Sequence, residues 1–461
     1  MKFKQFYLEC LSHASYYLGS GGEAAVIDPQ RDVEQYINEA DENGQIIKYV
    51  IETHSHADFV SGHLELAART GARIIYGERA ETEFPTLKVK DGDTIRLGTV
   101  ELTFLETPGH TPESIVVLAK DTDDPASAAK MFTGDTLFIG DVGRPDLIGS
   151  KGFTSEQMAS MLYDSLHEKI LTLPDETEIY PAHGAGSLCG KSLSKETWST
   201  LGEQRRQNYA LKPMSREEFI AEVSSDQPKV PSYFQVNAAR NLQGAPALRG
   251  LTGIEEVSAD DAAKFDGVIV DVRQVAKYGD GHVPNSINIG LGGQFASWAG
   301  TTIPIGTPLL IAAEDRNQVD EAVTRLARVG HENVKGYLLY ENNPAVGRSV
   351  EQIGVEVASG IVGSEETLQF IDVRRPSEYE AGHARGAMNI PLDRLSDDLG
   401  RLDPSIATYV ICQSGYRSSL ATGLLAKAGF DRVLNVSGGT KAWIEKGLPT
   451  QSGRAEKAPE I

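Results

Sequence analysis

Cysteine is scarce in this chain: Cys10, Cys189 and Cys412 are the three among 461 residues, far apart and odd in number. A disulfide framework is thereby excluded as an organising principle, and a reducing compartment, the cytoplasm, is the expected location. Long apolar runs are missing as well. None reaches the ~18 residues that a membrane span requires. The opening MKFKQFYLECLSHASYYLG is broken by polar residues and alternates like a strand, not a secretory leader. Positive charge is in deficit, with 44 Lys and Arg against 65 Asp and Glu, a net −21. That balance argues against nucleic acid as the principal ligand. What is present is ordinary globular composition, 40% hydrophobic and 24% charged, enough to bury several cores. At about 150 residues per domain, the length suggests three domains.

The first half alternates strands and helices. EAAVIDPQ reads as a strand ending in a turn; Val33, Tyr36, Ile37 and Ala40 then share a helical face, with Gly44 as the stop. IIKYVIET is a buried strand running into His54, and a helix at 61–70 is closed by Gly71. ARIIY, VELTFLE, SIVVLAK and AKMFT supply further strands, and helices are expected at 155–171 and 194–210. This is the pattern of a layered α/β domain, ending near residue 240, where AARNLQGAPALRG reads as a linker. The second half holds an internal repeat. Asp271, Arg273, Tyr278, Gly281, His282 and Asn288 recur 101 residues later as Asp372, Arg374, Tyr379, Gly382, His383 and Asn389. The boundaries expected are 1–240, 250–345 and 350–455.

Chemistry-bearing residues cluster at strand ends of the first half. Thr53-His54-Ser55-His56-Ala57-Asp58-Phe59 leaves a buried strand, and alternating His, His and Asp on such a loop can converge on one point. His110 in ETPGHTPES, Asp135 in FTGDTLF and His183 in IYPAHGAG follow later strands. Imidazole and carboxylate donors suit zinc, iron or manganese. A single loop histidine is usually just solvated, but this many donor groups at strand ends of one domain point to a metal centre.

The series HxHxD, PGHTP, TGDTLF and PAHG resembles the metallo-β-lactamase fold, an αββα sandwich, over residues 1 to about 240. Hydrolases of that fold such as glyoxalase II carry His directly after the motif Asp, where this chain has Phe59. A two-metal hydrolase needs both ions to activate its water, so that alternative, a metal-dependent thioester hydrolase, is weakened. The better resemblance is to the persulfide dioxygenase branch. It implies one Fe(II) per chain on His54, His110 and Asp135, with open positions for O2 and a low-molecular-weight persulfide, and sulfite and thiol as products. His56, Asp58 and His183 would then orient the ligands, and Arg144 would meet the substrate's anionic group, unless it is only a surface salt bridge. Cys189, six residues beyond His183, is either a thiol that receives or relays sulfur near that loop or, as expected, a buried structural cysteine.

In the last 100 residues the strand YVI ends at Cys412, and Gln413-Ser414-Gly415-Tyr416-Arg417 leads into a helix from about Ser418. Backbone N–H groups of a helix N-terminus and Arg417 would stabilise an anionic sulfur there. With DVR, EYEAGH, GAMNIP and VSGGTKAW around it, this segment resembles a rhodanese, which implies sulfur transfer through Cys412 assisted by Arg417, making or using thiosulfate. At an offset of 99 the sibling has Ala313 for Cys412 and Gln318 for Arg417, so it carries no nucleophile. It keeps Asp271, Arg273 and His282, which marks Asp372, Arg374 and His383 as structural. The fold class expected is therefore an αββα sandwich followed by an inactive and an active rhodanese-like α/β domain. Self-association of the chain is expected; nucleic acid and membrane are not.

Overall fold

The computed structural model describes every residue except 148–151, 226, 228, 252, 344–346, 365–367 and 454–461. The domain edges drawn at 345 and 455 fall among these. The described chain divides into two compact units, one of residues 1–250 with the short stretch 327–330, the other of 251–326 and 331–461.

In the first unit, two six-stranded sheets lie face to face. One is formed by β1 (Lys2–Leu8), β2 (His13–Ser20), β3 (Glu23–Ile27), β4 (Ile46–Ile51), β5 (Arg73–Gly77) and β6 (Leu87–Val89), paired in that order. The other holds β7 (Thr94–Leu97), β8 (Val100–Glu106), β9 (Ile115–Asp121), β10 (Lys130–Gly134), β11 (Glu178–Pro181) and β12 (Ser199–Thr200). Alternating side chains explain the layers. Tyr16, Leu18, Ala25 and Ile27 from one sheet meet Leu102, Phe104, Val117 and Phe132 from the other. Their neighbours Tyr17, Ala24 and Val26 point outward, under the helices Glu34–Glu42 and His63–Thr70. Val116, Met131 and Ile179 face the helices Ser155–Asp164, Leu201–Gln207 and Arg216–Ser224 across the opposite face. The expected αββα sandwich is observed.

Three local expectations shift. The helix at 155–171 stops at Asp164 and continues as a π-turn, Ser165–Lys169. The helix at 194–210 shortens to Leu201–Gln207, because Ser199 and Thr200 pair with Ile179 and Glu178 as a strand and Thr200 caps the helix. The expected linker is largely helix too: Ser232–Gln243 is a continuous helix that turns buried Tyr233, Phe234, Asn237, Asn241 and Leu242 inward.

The second unit contains two parallel sheets. The first repeat supplies β13 (Val268–Asp271), β14 (Ile287–Asn288), β15 (Leu309–Ala313) and β16 (Val334–Leu339), in the order β14-β13-β15-β16. The second supplies β17 (Glu351–Gly354), β18 (Gln369–Asp372), β19 (His383–Ala384), β20 (Met388–Asn389), β21 (Thr408–Ile411), β22 (Val433–Ser437) and β23 (Thr450–Gln451), its main sheet ordered β17-β22-β21-β18-β20. One hydrophobic cluster runs through both repeats, from Val270, Ile287 and Ile311 to Ile371, Leu420 and Leu425. No helix among the described residues is long and apolar enough to cross a membrane.

Candidate metal centre and sulfur-binding loop

The loop after β4 is shaped from below by Asp28, which ends β3 with a positive φ of 51°. Its carboxylate accepts the Thr53 N–H at 2.7 Å and the Thr53 hydroxyl at 2.8 Å. The hydroxyl has only one proton, so its 3.0 Å contact with His54 Nδ1 requires that nitrogen to donate. His54 Nε2 is left with its lone pair inward. The same logic fixes two further rings. His110 Nδ1 donates to the Arg144 carbonyl at 2.9 Å, and His183 Nδ1 faces the Ser12 carbonyl at 3.3 Å. Three imidazoles thus have their tautomer set from outside and Nε2 turned toward one carboxylate, which is how ligating histidines are commonly oriented. Gly134 permits the close packing: its φ is +50°, and a Cβ there would lie 2.4 Å from Thr53 Oγ1.

The shared carboxylate is Asp135, at the end of β10. Its Oδ2 lies 3.3 Å from His110 Nε2 and 3.8 Å from His54 Nε2. Donor atoms held about 2.1 Å from one ion are themselves about 3.0–3.5 Å apart, so the triad suits a small divalent cation. Both oxygens of Asp135 are buried without a hydrogen-bond partner. Burial lowers the pKa of His54 and His110, in His110 against the opposing pull of Asp135, so both rings can ligate without first losing a proton.

The other expected residues gather beside this triad. Asp135 Oδ1 faces His183 Nε2 at 3.6 Å, which is also 3.5 Å from Asp58 Oδ2. His56, Asp58 and His183 form a second donor group, and Cys189 approaches Asp135 and His183. Phe59 is buried, its ring 4.1 Å from that of His13 and 4.5 Å from that of His56, so an apolar face closes the position next to Asp58. His56 lies 3.1 Å from Asp28 and 3.7 Å from Glu52. Burial works against its proton, but these carboxylates outweigh it and raise the imidazole to about 9. Burial in turn raises the Glu52 carboxyl to about 8.

Arg144 is placed differently from the expectation of an open anion contact. It is 1% exposed, and its guanidinium grips Asp146 in two-pronged fashion at 2.6 and 2.7 Å and reaches the Leu188 carbonyl at 3.2 Å. The pair is a salt bridge, as the alternative had it, with the arginine buried and Asp146 partly exposed.

In the second repeat, Cys412 follows β21 and is 1% exposed. Its sulfur receives the Gly415 N–H at 3.2 Å and the Ser418 hydroxyl at 3.3 Å. Gly415 is the N-cap of the helix Tyr416–Lys427, and Ser418 lies in its first turn. Arg417 is held beside this loop by a carboxylate: both its terminal nitrogens bind Glu378 at 2.7 Å. Burial pushes the Glu378 carboxyl up, but the guanidinium outweighs burial and holds it below the usual range. Asp372, Arg374 and His383 are bonded as their counterparts are: Arg374 binds Asp372 and the Gly382 carbonyl, Arg273 binds Asp271 and the Gly281 carbonyl, and each histidine caps a tyrosine carbonyl. These bonds are common to both repeats, but Arg374 Nη1 also donates to Gln413 Oε1 of the Cys412 loop at 3.3 Å, whereas Arg273 lies over the Tyr340 ring and the Tyr340 hydroxyl donates to Asp271.

Four contributors escape a reading of the sequence alone. Glu52 and Asp28 support His56; Ser418 meets the sulfur; and Asn241 holds the metal loop. Asn241 Nδ2 donates to the carbonyls of His56 and Phe59 at 2.7 and 2.8 Å, and its Oδ1 accepts the Ser61 N–H at 2.9 Å. The signal that could have found Ser418 is a hydroxyl six residues beyond the cysteine, in the first turn of the following helix; Asn241 had no local signal.

Two family signatures match the sequence, the Metallo-beta-lactamase superfamily over residues 8–183 and the Rhodanese-like domain over 255–338 and again over 356–446. The chain belongs to the metallo-beta-lactamase superfamily and carries two rhodanese-like domains behind that fold. Among its relatives, the human protein named Persulfide dioxygenase ETHE1, mitochondrial, is 33% identical over 216 residues, 45% of this chain and 74% of that protein. A Hydroxyacylglutathione hydrolase of Methylococcus capsulatus is 31% identical over 242 residues, 50% of this chain and 86% of that protein. A solved structure, Metallo-beta-lactamase from Staphylococcus aureus subsp. aureus COL, matches with a TM-score of 0.67 at 36% identity, covering 74% of this chain and 99% of that one.

Proposed function

We propose that the chain is a non-haem iron persulfide dioxygenase joined to a rhodanese sulfurtransferase, acting in the disposal of sulfide and sulfane sulfur. The observation that carries this reading is the unequal donor set. His54, His110 and Asp135 form a complete two-histidine, one-carboxylate triad, while Phe59 stands where a two-ion hydrolase needs another donor. The triad would hold one Fe(II), which supplies open positions for O2 and a persulfide. His183, Asp58 and His56 orient the triad and keep its surroundings polar, and Arg144 sets the loop that carries the His110 acceptor.

The overall change balances as RSSH + O2 + H2O → RSH + H2SO3, with the outer sulfur oxidised and dioxygen reduced. At the second site, sulfite attacks the outer sulfur of a Cys412 persulfide. The S–S bond breaks, thiosulfate leaves, and the Cys412 thiolate is received by the Gly415 N–H and Ser418 O–H. The reverse direction takes sulfur from thiosulfate to a thiol, with Arg417 supporting the loop through Glu378. The unpaired cysteines support a cytoplasmic setting.

The second reading is a glyoxalase-II-like thioester hydrolase, favoured by the donor pair Asp58 and His183 on the far side of Asp135. Oxygen consumption on adding a low-molecular-weight persulfide to anaerobically iron-loaded protein decides between them. Cys412→Ser should abolish sulfur transfer and leave oxygen uptake, and His110→Ala should do the converse. About two zinc ions per chain with no oxygen uptake would overturn the dioxygenase.

A further inference from the structure

The repeat without a nucleophile touches the sulfur-carrying loop at its most sensitive point. Tyr416 directly follows Gly415, whose N–H meets the Cys412 sulfur, and the Tyr416 hydroxyl donates to the carbonyl of Gly290 in the first repeat at 2.7 Å. Its ring lies against Gly290 and Gly293 in the segment Gly290-Leu291-Gly292-Gly293. A Cβ on Gly293 would come within 2.6 Å of the ring, so only glycine leaves room for it.

One turn further, Ser419 neighbours the second sulfur donor, Ser418. Its hydroxyl donates to Asn288 Oδ1 at 2.7 Å. Asn288 cannot turn away, because its Nδ2 is bonded to the carbonyls of Asp271 and Arg273, both at 3.0 Å. A turn beyond that, Gly423 passes so close to β14 that a Cβ would lie 3.0 Å from Ile287 Cα. These contacts run one way in the sequence. At the 99-residue offset, the first repeat has Asn317, Asp320 and Thr324 where the second has Tyr416, Ser419 and Gly423.

From this geometry we propose that the nucleophile-free repeat is the seat of the active loop, with Tyr416, Ser419 and Asn288 as positioning residues for sulfur transfer at Cys412. The inference rests on the sulfurtransferase reading above. Each positioning residue acts through its neighbour: Tyr416 fixes where the Gly415 N–H points, and Ser419 fixes the Ser418 hydroxyl. Both donors serve an anion whose charge grows as Cys412 leaves, so their placement bears on turnover more than on substrate binding.

The test uses the full chain. Tyr416→Phe, Ser419→Ala and Gly293→Ala are compared with the parent for kcat and KM of thiosulfate-dependent sulfur transfer. The rate of Cys412 alkylation by iodoacetamide is followed from pH 5 to 9 by mass spectrometry, and thermal melting is recorded alongside. A fall of about tenfold in kcat with KM unchanged is expected, together with an alkylation profile displaced toward alkaline pH. Ser419→Thr, which keeps the hydroxyl, should restore both. Gly293→Ala should add nothing once Tyr416→Ala has emptied the slot. Altered melting with unaltered kcat and alkylation would overturn the proposal and leave the first repeat as passive support. If the parent transfers no sulfur yet the alkylation profiles still separate, the sulfurtransferase reading fails and the positioning stands.

Discussion

Arg144 and Arg417 sit at motif positions where an anion contact is expected, yet each is held by a carboxylate, Asp146 in one case and Glu378 in the other. A planar guanidinium binds one carboxylate with two parallel bonds, and such a pair is not lightly opened. Sequence spacing shows the arginine but not its partner: Glu378 lies 39 positions from Arg417. The pairing has a pH signature. A free glutamate titrates near about 4.3, and the Glu378 carboxyl is held below the ordinary range. Its contribution to stability is therefore fully present above about pH 4.3 and is lost as the pH falls through the folded value. Glu378→Gln should cost about 1 kcal/mol at pH 7 and nearly nothing in strong acid, a difference read from urea melts at the two pH values.

Among the elements, the strand ends bring donors together and one helix keeps them there. His54 follows β4, His110 lies between β8 and β9, Asp135 follows β10, and His183 follows β11. Strand periodicity makes these positions legible in advance. The helix Ser232–Gln243 was not, because its sequence mixes polar and apolar residues and ends in a glycine-rich stretch that reads as a linker. Its value lies in Asn241, which satisfies two carbonyls and one N–H of the ligand loop. Asn241→Ala leaves these buried groups without partners and should destabilise the first unit by on the order of 3 kcal/mol. Chemical denaturation measures this directly. Metal affinity should fall in the same variant, measured by competition with a chromophoric chelator.

For the molecule as a whole, the largest single lever is the ion. Unpartnered buried oxygens on Asp135 and the unpartnered Nε2 of His183 are groups whose burial is costly unless a cation compensates it. Removing the metal with a chelator should lower the melting temperature of the chain. At ion concentrations about 100 times the dissociation constant, the loss corresponds to ~2.7 kcal/mol. Restoring the divalent ion should recover it, whereas His110→Ala should show neither the loss nor the recovery.

The sequence alone determined the sandwich and the tandem repeat and pointed to candidate metal donors and a candidate nucleophile, because each is written in local periodicity or in a motif at a strand end. Its scarcity of cysteine already singled out Cys412. Tertiary structure decided which charges are spoken for and which residues support which. It tied Arg417 to Glu378, clamped the metal loop with Asn241, and seated Tyr416 among glycines of a repeat more than a hundred residues earlier. Such contacts join positions far apart in the chain, and no local pattern encodes them until the sheets have brought them together.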